Sequence, residues 1–83
     1  MARDEGDVRG TKAARAEFSK RGIDLTMADL RCMHGTLYVR GTVKAYRGSP
    51  ITDIRAEMEI IARVLRQKPD IRDVILECVY RGT

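Results

Sequence analysis

Three side chains in this sequence have the chemistry to bind a metal ion or to act in catalysis: Cys32, His34 and Cys78. Cys32 and His34 are two residues apart, which places them on the same face of a strand. A zinc site normally has four ligands and a closely spaced cysteine pair, and neither is evident in this sequence. His34 is the single histidine, and no serine or cysteine is spaced to form a recognisable dyad with it. We therefore predict no metal site, no cofactor and no catalytic residue.

The two cysteines have a simpler interpretation as core residues. Each stands in a segment of alternating polarity, at a position where a small apolar residue is expected, so we predict free thiols packed in the core. A disulfide between them would require their two strands to be neighbours in the sheet.

A second group of residues has the chemistry to bind an anion. The formal charge of the chain is +4, and the excess lies in the first 50 residues, which hold ten basic and six acidic side chains. Cations and tyrosines alternate along one predicted strand, on the side opposite to its apolar residues. This candidate anionic-ligand face consists of Tyr38, Arg40, Lys44, Tyr46 and Arg47. The alternative interpretation is an ordinary solvated strand face.

Length and composition restrict the class of protein. A chain of 83 residues forms one domain with a modest core, which favours a small binding module over an enzyme with a deep site. Its 43% hydrophobic and 34% charged residues are typical of a globular domain. No run reaches the ~18 apolar residues that span a bilayer, and no secretory leader is recognisable. We expect a cytoplasmic protein, or an envelope-associated one if the chain is an excised or mature domain.

The N-terminal part of the chain predicts one helix. Residues 1–10 contain two glycines and mixed charges, so we expect a flexible segment there. Residues 11–21 are good helix formers with Phe18 as their main apolar contact, and Gly22 supplies the left-handed residue that ends many helices. We therefore place the folded domain at residues 11–83.

Two alternating segments follow and predict a hairpin. They meet at His34-Gly35, where the glycine can adopt the positive φ of a tight turn. The second segment contains an interior glycine, Gly41, which weakens a strand unless another element must come close to its backbone. We expect a helix to cross the strand at that point.

The second half of the chain predicts a longer helix and a third strand. Ser49 is a candidate N-cap, and apolar residues then recur at helical spacing until Lys68-Pro69 ends the helix. This apolar stripe consists of Ile54, Met58, Ile61 and Leu65. Residues 71–80 alternate again and are apolar on both faces, which indicates a well-covered strand or one that meets a partner.

The predicted order of elements is helix, strand, strand, helix, strand. Each amphipathic element must bury one face against another, and this order does so most simply in two layers. We predict an α+β fold: a two-layer sandwich in αββαβ order, with two helices on one face of a three-stranded mixed sheet.

Three segments match a known sequence pattern. They are residues 35–43 (Gly-Thr-Leu-Tyr-Val-Arg-Gly-Thr-Val), the helix at residues 57–64, and residues 71–75 (Ile-Arg-Asp-Val-Ile). Together they resemble the bacterial BON domain family, in which a glycine turn and a glycine-containing strand precede an amphipathic helix and a last strand. By this resemblance Gly35 is the hairpin glycine, Gly41 the glycine beneath the helix, and Ile71 with Val74 the apolar pair that opens the last strand. The resemblance implies a non-enzymatic module that binds phospholipid surfaces or helps to assemble envelope proteins.

The sequence thus predicts a binding module that contacts an anionic phospholipid surface or a partner protein through its basic and aromatic strand face. Binding of single-stranded RNA or another nucleic acid through the same face is an alternative, in which the tyrosines stack on unpaired bases. It is less favoured, because two tyrosines and a charge of +4 are modest for such a domain. Self-assembly through the last strand is a further alternative.

Overall fold

A computed structural model describes residues 5–81, which form an α+β domain with two helices and a four-stranded sheet. The elements are α1 (Glu5–Lys20), β1 (Ile23–Asp24), β2 (Ala28–Met33), β3 (Thr36–Ala45), α2 (Ile54–Leu65) and β4 (Asp73–Arg81). The prediction of three strands was wrong by one. The extra strand, β1, forms because the fully buried Ile23 pairs opposite Ala45 and carries its backbone to the edge of β3.

β3 is the centre of the sheet. β2 pairs with it antiparallel over residues 36–41, and β1 pairs with it antiparallel at residues 44 and 45. β4 pairs with it parallel over residues 36–44 and therefore lies on the opposite edge from both. The sheet is mixed, and within residues 5–81 its outer edges are β1 with β2 on one side and β4 on the other.

One apolar core joins both helices to one face of the sheet. β3 contributes Leu37, Val39 and Val43, which alternate along the strand as the sequence predicts. Most of the remaining predicted core positions are buried as well: Phe18, Cys32, Ile54, Met58, Ile61, Leu65, Ile71 and Val74. Cys78 is only partly buried and packs against the edge of this core. The opposite side of the sheet carries the polar side chains of the strands, and we call it the outer face.

Helix α1 begins six residues earlier than the sequence predicts. Residues 5–10, expected to be flexible, form its first turns, and residues 1–4 lie outside the described residues. Glycine has a low helix propensity, so the sequence at Gly10 did not favour a helix. In the structure Gly10 lies within α1 and is buried. A Cβ at this position would lie 3.1 Å from the Cys32 Sγ, so glycine allows α1 to approach β2 closely.

Helix α2 begins later than predicted, and its N-cap is Asp53 rather than Ser49. The Asp53 carboxylate accepts a hydrogen bond from the Ala56 backbone N–H at 3.1 Å, which satisfies a free donor of the first turn. Ser49 instead accepts a hydrogen bond from the Ile51 N–H within the preceding loop. Asp53 is the residue immediately before the first buried position of the helix, Ile54, which explains why it takes the cap.

The two helices are joined by a charged cluster that sequence patterns did not reveal. Arg21, just after α1, has its Nε 2.7 Å from Glu17 Oε2 and its Nη1 3.1 Å from Glu57 Oε2 on α2. Glu17 is the one charged residue that is buried among the described residues. The hydrogen bond from Arg21 is the main cause that lowers the pKa of Glu17, so this carboxylate is paired and ionised.

Gly41 has a different role from the one predicted. No helix supplies the close approach: a Cβ on Gly41 would lie 2.7 Å from the Met27 carbonyl oxygen and 3.0 Å from the Ala28 Cα. Thr42 donates a backbone hydrogen bond to the same Met27 oxygen at 2.9 Å. Gly41 also has φ +96°, so both its backbone conformation and its contact with the start of β2 require glycine.

Two glycine substitutions separate these requirements. Gly48 has φ +84°, and a Cβ added there would have no atom within 4 Å, so Gly48→Ala should cost about 1–2 kcal/mol of unfolding free energy from conformation alone. Gly41→Ala adds the overlap with Met27, and we expect it to cost at least about 1 kcal/mol more. Urea unfolding of both variants measures the difference. Equal losses would show that the contact with Met27 does not constrain Gly41.

Candidate functional site

Three of the five candidate anion-binding residues lie on the outer face. Tyr38, Arg40 and Lys44 are the outward side chains of β3, between its buried positions. Their cross-strand neighbours come from all three other strands: Asp24 on β1, Asp29 and Arg31 on β2, and Ile75, Glu77 and Arg81 on β4. The face therefore carries both signs of charge.

Arg40 is already paired with a carboxylate. It stands opposite Glu77 in the parallel register of β3 and β4, and its Nε lies 3.0 Å from Glu77 Oε1. Its guanidinium also lies over the Tyr38 ring, 5.4 Å from the ring centroid. Both side chains of the ion pair are more than half exposed, so the pair adds little stability, but it neutralises the charge of Arg40.

Lys44 has a carboxylate partner as well. Its Nζ lies 3.7 Å from Asp24 Oδ2 on β1. The Asp24 carboxylate also accepts hydrogen bonds from the Thr26 hydroxyl and backbone N–H, and these lower the pKa of Asp24. An ionised carboxylate thus stands beside the ammonium. The carboxylates beside these two cations come from β1 and β4, distant in the chain, so the sequence pattern did not reveal them.

Tyr46 and Arg47 lie beyond the end of β3. The Tyr46 backbone N–H donates to the Gly22 carbonyl at 2.8 Å, which ties this loop to the end of α1. Both residues are exposed and line a groove with Ser19 and Pro50. They extend the candidate face only at its end, so the structure divides the five residues into a group of three and a group of two.

A groove of about 630 Å³ lies between α1 and β2, and we call it the β2 groove. The residues from α1 are Asp7, Val8, Thr11 and Arg15, and those from β2 are residues 29–33. Successive strand residues point to opposite faces, so five consecutive lining residues mean that the groove follows the edge of the strand. β2 pairs only with β3 among the described residues, and its other edge therefore offers unpaired backbone groups to the groove.

The β2 groove has two cations without partners. Arg15 on α1 and Arg31 on β2 are exposed, and neither forms an ion pair or side-chain hydrogen bond within residues 5–81. Asp29 is the exposed carboxylate at one end. Val8 and the exposed Met33 add apolar surface. The groove combines a strand edge, two free guanidinium groups and a few apolar contacts.

Asp7 fixes one end of the β2 groove. Its carboxylate accepts hydrogen bonds from the backbone N–H groups of His34 at 3.0 Å and Gly35 at 3.1 Å, and the Cys32 Sγ lies 3.7 Å away. The bond from the His34 N–H, followed by that from Gly35, lowers the pKa of Asp7. The first turns of α1 are thereby held to the hairpin. Asp7 was missed by sequence reasoning because its partners lie 25 to 28 residues away.

The hairpin turn is held from its other side by the segment before β4. Arg72 donates from its side chain to the His34 carbonyl and from its backbone N–H to the Gly35 carbonyl. His34 has φ +53° and Gly35 has φ +83°, the pair of positive values that a tight two-residue hairpin requires. His34 is therefore a turn residue, in agreement with its position in the sequence.

The two cysteines lie on opposite edges of β3, Cys32 opposite Leu37 and Cys78 opposite Gly41. With β3 between them, their strands are not neighbours, and both thiols are free. Burial raises the pKa of each thiol, which makes them poor nucleophiles near neutral pH. Within residues 5–81 no cluster of three or more potential metal ligands is present.

The hydrogen bonds to Asp7 predict a pH dependence of stability. A carboxylate with a lowered pKa stabilises the fold above its unfolded pKa, near the ordinary value of 3.8, and this contribution is lost as the pH falls through the folded pKa. Asp7→Asn should reduce stability at pH 7 and flatten the loss of stability below about pH 4. Thermal unfolding from pH 7 to pH 2 measures both. Glu5→Gln is the control, because Glu5 is an exposed carboxylate in the first turn of α1 without a hairpin contact. An equal effect of this variant would show that the hydrogen bonds to Asp7 do not cause the pH dependence.

No family model, curated protein or solved structure matches this chain. The resemblance to the BON domain family accordingly stays a prediction from the sequence.

Proposed function

We propose that this domain is a protein-binding module that takes an extended, acidic segment of a partner protein along the free edge of β2. The observation that carries the proposal is the β2 groove, in which five consecutive residues of an unpaired strand edge lie beside a helix. Strand addition of this kind gives affinity through main-chain hydrogen bonds and specificity through alternate side chains.

The groove can receive both sides of an added strand. The side chains of the added strand would alternate between two sides of the sheet. One set would lie on the outer face beside Arg31 and Met33, and the other on the inner side beside Val8 and Thr11 of α1. The two-layer sandwich predicted from the sequence suits this mode, because helices packed on one face leave the outer face open to solvent. Asp7 holds α1 and the hairpin in place, so little ordering is required on binding.

The charges of the groove select an acidic occupant. Arg15 and Arg31 have no carboxylate partner within residues 5–81, whereas the Asp7 carboxylate accepts its hydrogen bonds from the hairpin amides. Asp29 at one end and the ionised Asp7 at the other repel a carboxylate, so the acidic side chains of the occupant belong beside Arg31, between them. An extended segment with acidic side chains on alternate residues would pair with Arg31 on the outer face and leave its apolar residues towards α1.

Titration with a short peptide of alternating glutamate and valine tests this function. We expect amide chemical-shift changes confined to residues 7–15 and 28–33. Arg31→Glu should weaken binding about tenfold or more, because an attractive contact becomes a repulsive one. Arg63→Glu is the matched control, since Arg63 is an exposed arginine of α2 that does not line the groove.

Backbone methylation of the same peptide tests whether binding depends on main-chain hydrogen bonds. N-methyl groups on alternate residues remove the donors that an added strand needs and leave the side-chain charges unchanged. Undiminished binding of the methylated peptide, or shifts centred on α2, would show that the β2 edge is not the site.

The phospholipid surface predicted from the sequence is less well supported by the geometry. Lysine and arginine near an anionic surface each contribute about 1 kcal/mol, but Arg40 and Lys44 already have carboxylate partners. The same pairing weakens the nucleic-acid alternative, in which these cations would meet phosphates. Within residues 5–81 no helix is long and apolar enough to cross a bilayer.

Co-sedimentation with vesicles distinguishes the membrane alternative. We expect equal, low recovery with neutral and anionic vesicles at physiological salt. Glu77→Gln releases Arg40 from its ion pair and should increase recovery with anionic vesicles only. Strong binding of the unchanged protein to anionic vesicles, lost in the Arg40→Ala variant, would instead make the outer face a membrane-binding surface.

A further inference from the structure

The second open edge of the sheet belongs to β4. β4 has nine residues and pairs only with β3 among the described residues. Its outward Val79 is 65% exposed, more than any other large hydrophobic side chain of residues 5–81. No lysine or proline interrupts the strand. A long open edge of this composition is able to pair with another strand unless it is covered.

Two hydrogen bonds identify the backbone groups that face this edge. The Asp73 N–H points towards β3, where it donates to the Gly35 carbonyl at 3.4 Å. The Val74 carbonyl points the other way and accepts from the Arg66 Nη2 at 3.2 Å. Because successive residues of a strand alternate in direction, the free N–H and C=O groups belong to Leu76, Cys78 and Tyr80.

The residues of β4 are self-complementary when the strand is reversed about Glu77. Asp73 then stands opposite Arg81, and Ile75 stands opposite Val79. Both ends form opposite-charge pairs, and the positions between them are apolar except for Glu77 on the axis. We infer that β4 pairs antiparallel with β4 of a second copy of this chain, about a two-fold axis through Glu77, which joins two sheets into one.

The hydrogen-bond directions fit this register. Leu76 of one copy lies opposite Cys78 of the other, and both belong to the set with free backbone groups. Glu77 meets Glu77 of the second copy, but each carboxylate has Arg40 of its own chain at 3.0 Å. Asp73 exchanges an exposed contact with Arg66 for one with Arg81 of the second copy.

A charge exchange tests the dimer and its register. Sedimentation velocity over a range of concentrations should show a monomer–dimer equilibrium for the unchanged chain. Asp73→Arg and Arg81→Asp each place like charges opposite one another. Each should raise the dissociation constant of the dimer about tenfold or more, which corresponds to a loss of about 1.4 kcal/mol of binding free energy. The double variant restores opposite charges and should recover most of the affinity. A monomer at every concentration, or a double variant as weak as the single ones, would overturn the inference.

A second pair of variants distinguishes loss of the interface from loss of folding. Val79→Lys changes the most exposed apolar residue of the proposed interface and should abolish the dimer, while Ile60→Lys changes an exposed residue of α2 and should leave it intact. Circular dichroism verifies that both remain folded. Glu77→Gln removes the like-charge contact and should tighten the dimer severalfold. Equal behaviour of the two lysine variants would place any interface elsewhere.

Because the β2 groove lies on the opposite edge of the sheet, peptide binding there succeeds or fails independently of this result.

Discussion

The structure depends on one strand, β3, which is hydrogen-bonded along both of its edges. Its side chains alternate, so that Leu37, Val39 and Val43 enter the core while Tyr38 and Arg40 face outward. A slip of one residue in its pairing would exchange the two faces and bring charge into the core. The register of β3 therefore fixes the core, the outer face and the direction of both open edges.

The hairpin at His34-Gly35 sets the start of β3 and contacts both α1 and the segment before β4. Asp7 from α1 binds its amides, and Arg72 from the segment before β4 binds its carbonyls. These contacts place α1 beside β2 and β4 beside β3. The β2 groove and the β4 edge are consequently positioned by the same two-residue turn, although they lie on opposite sides of the sheet.

The parts of the fold that follow from local pattern could be predicted from the sequence. The apolar stripe of α2, the alternation of β3 and the positive φ at Gly35 are properties of neighbouring residues and need no tertiary information. Gly10 was misleading, because a buried glycine that permits close packing has the same sequence signature as one that weakens a helix.

The candidate site was harder to predict because it depends on contacts between distant residues. Arg40 and Lys44 were correctly seen to share a strand face with Tyr38, but their partners Glu77 and Asp24 become neighbours only through strand pairing. The β2 groove requires the approach of α1 to β2, and no short sequence pattern encodes it. Such pairings depend on the register of whole strands.

Amide hydrogen exchange on the dilute, monomeric protein tests most directly whether the sheet has the open edges on which this account depends. The amides of β3 should exchange slowly along the strand. In β4 only alternate amides should be protected, with Ile75, Glu77 and Val79 slow and Leu76, Cys78 and Tyr80 fast. Uniform protection along β4 in a monomer would mean that its edge is covered, and would contradict the proposed arrangement.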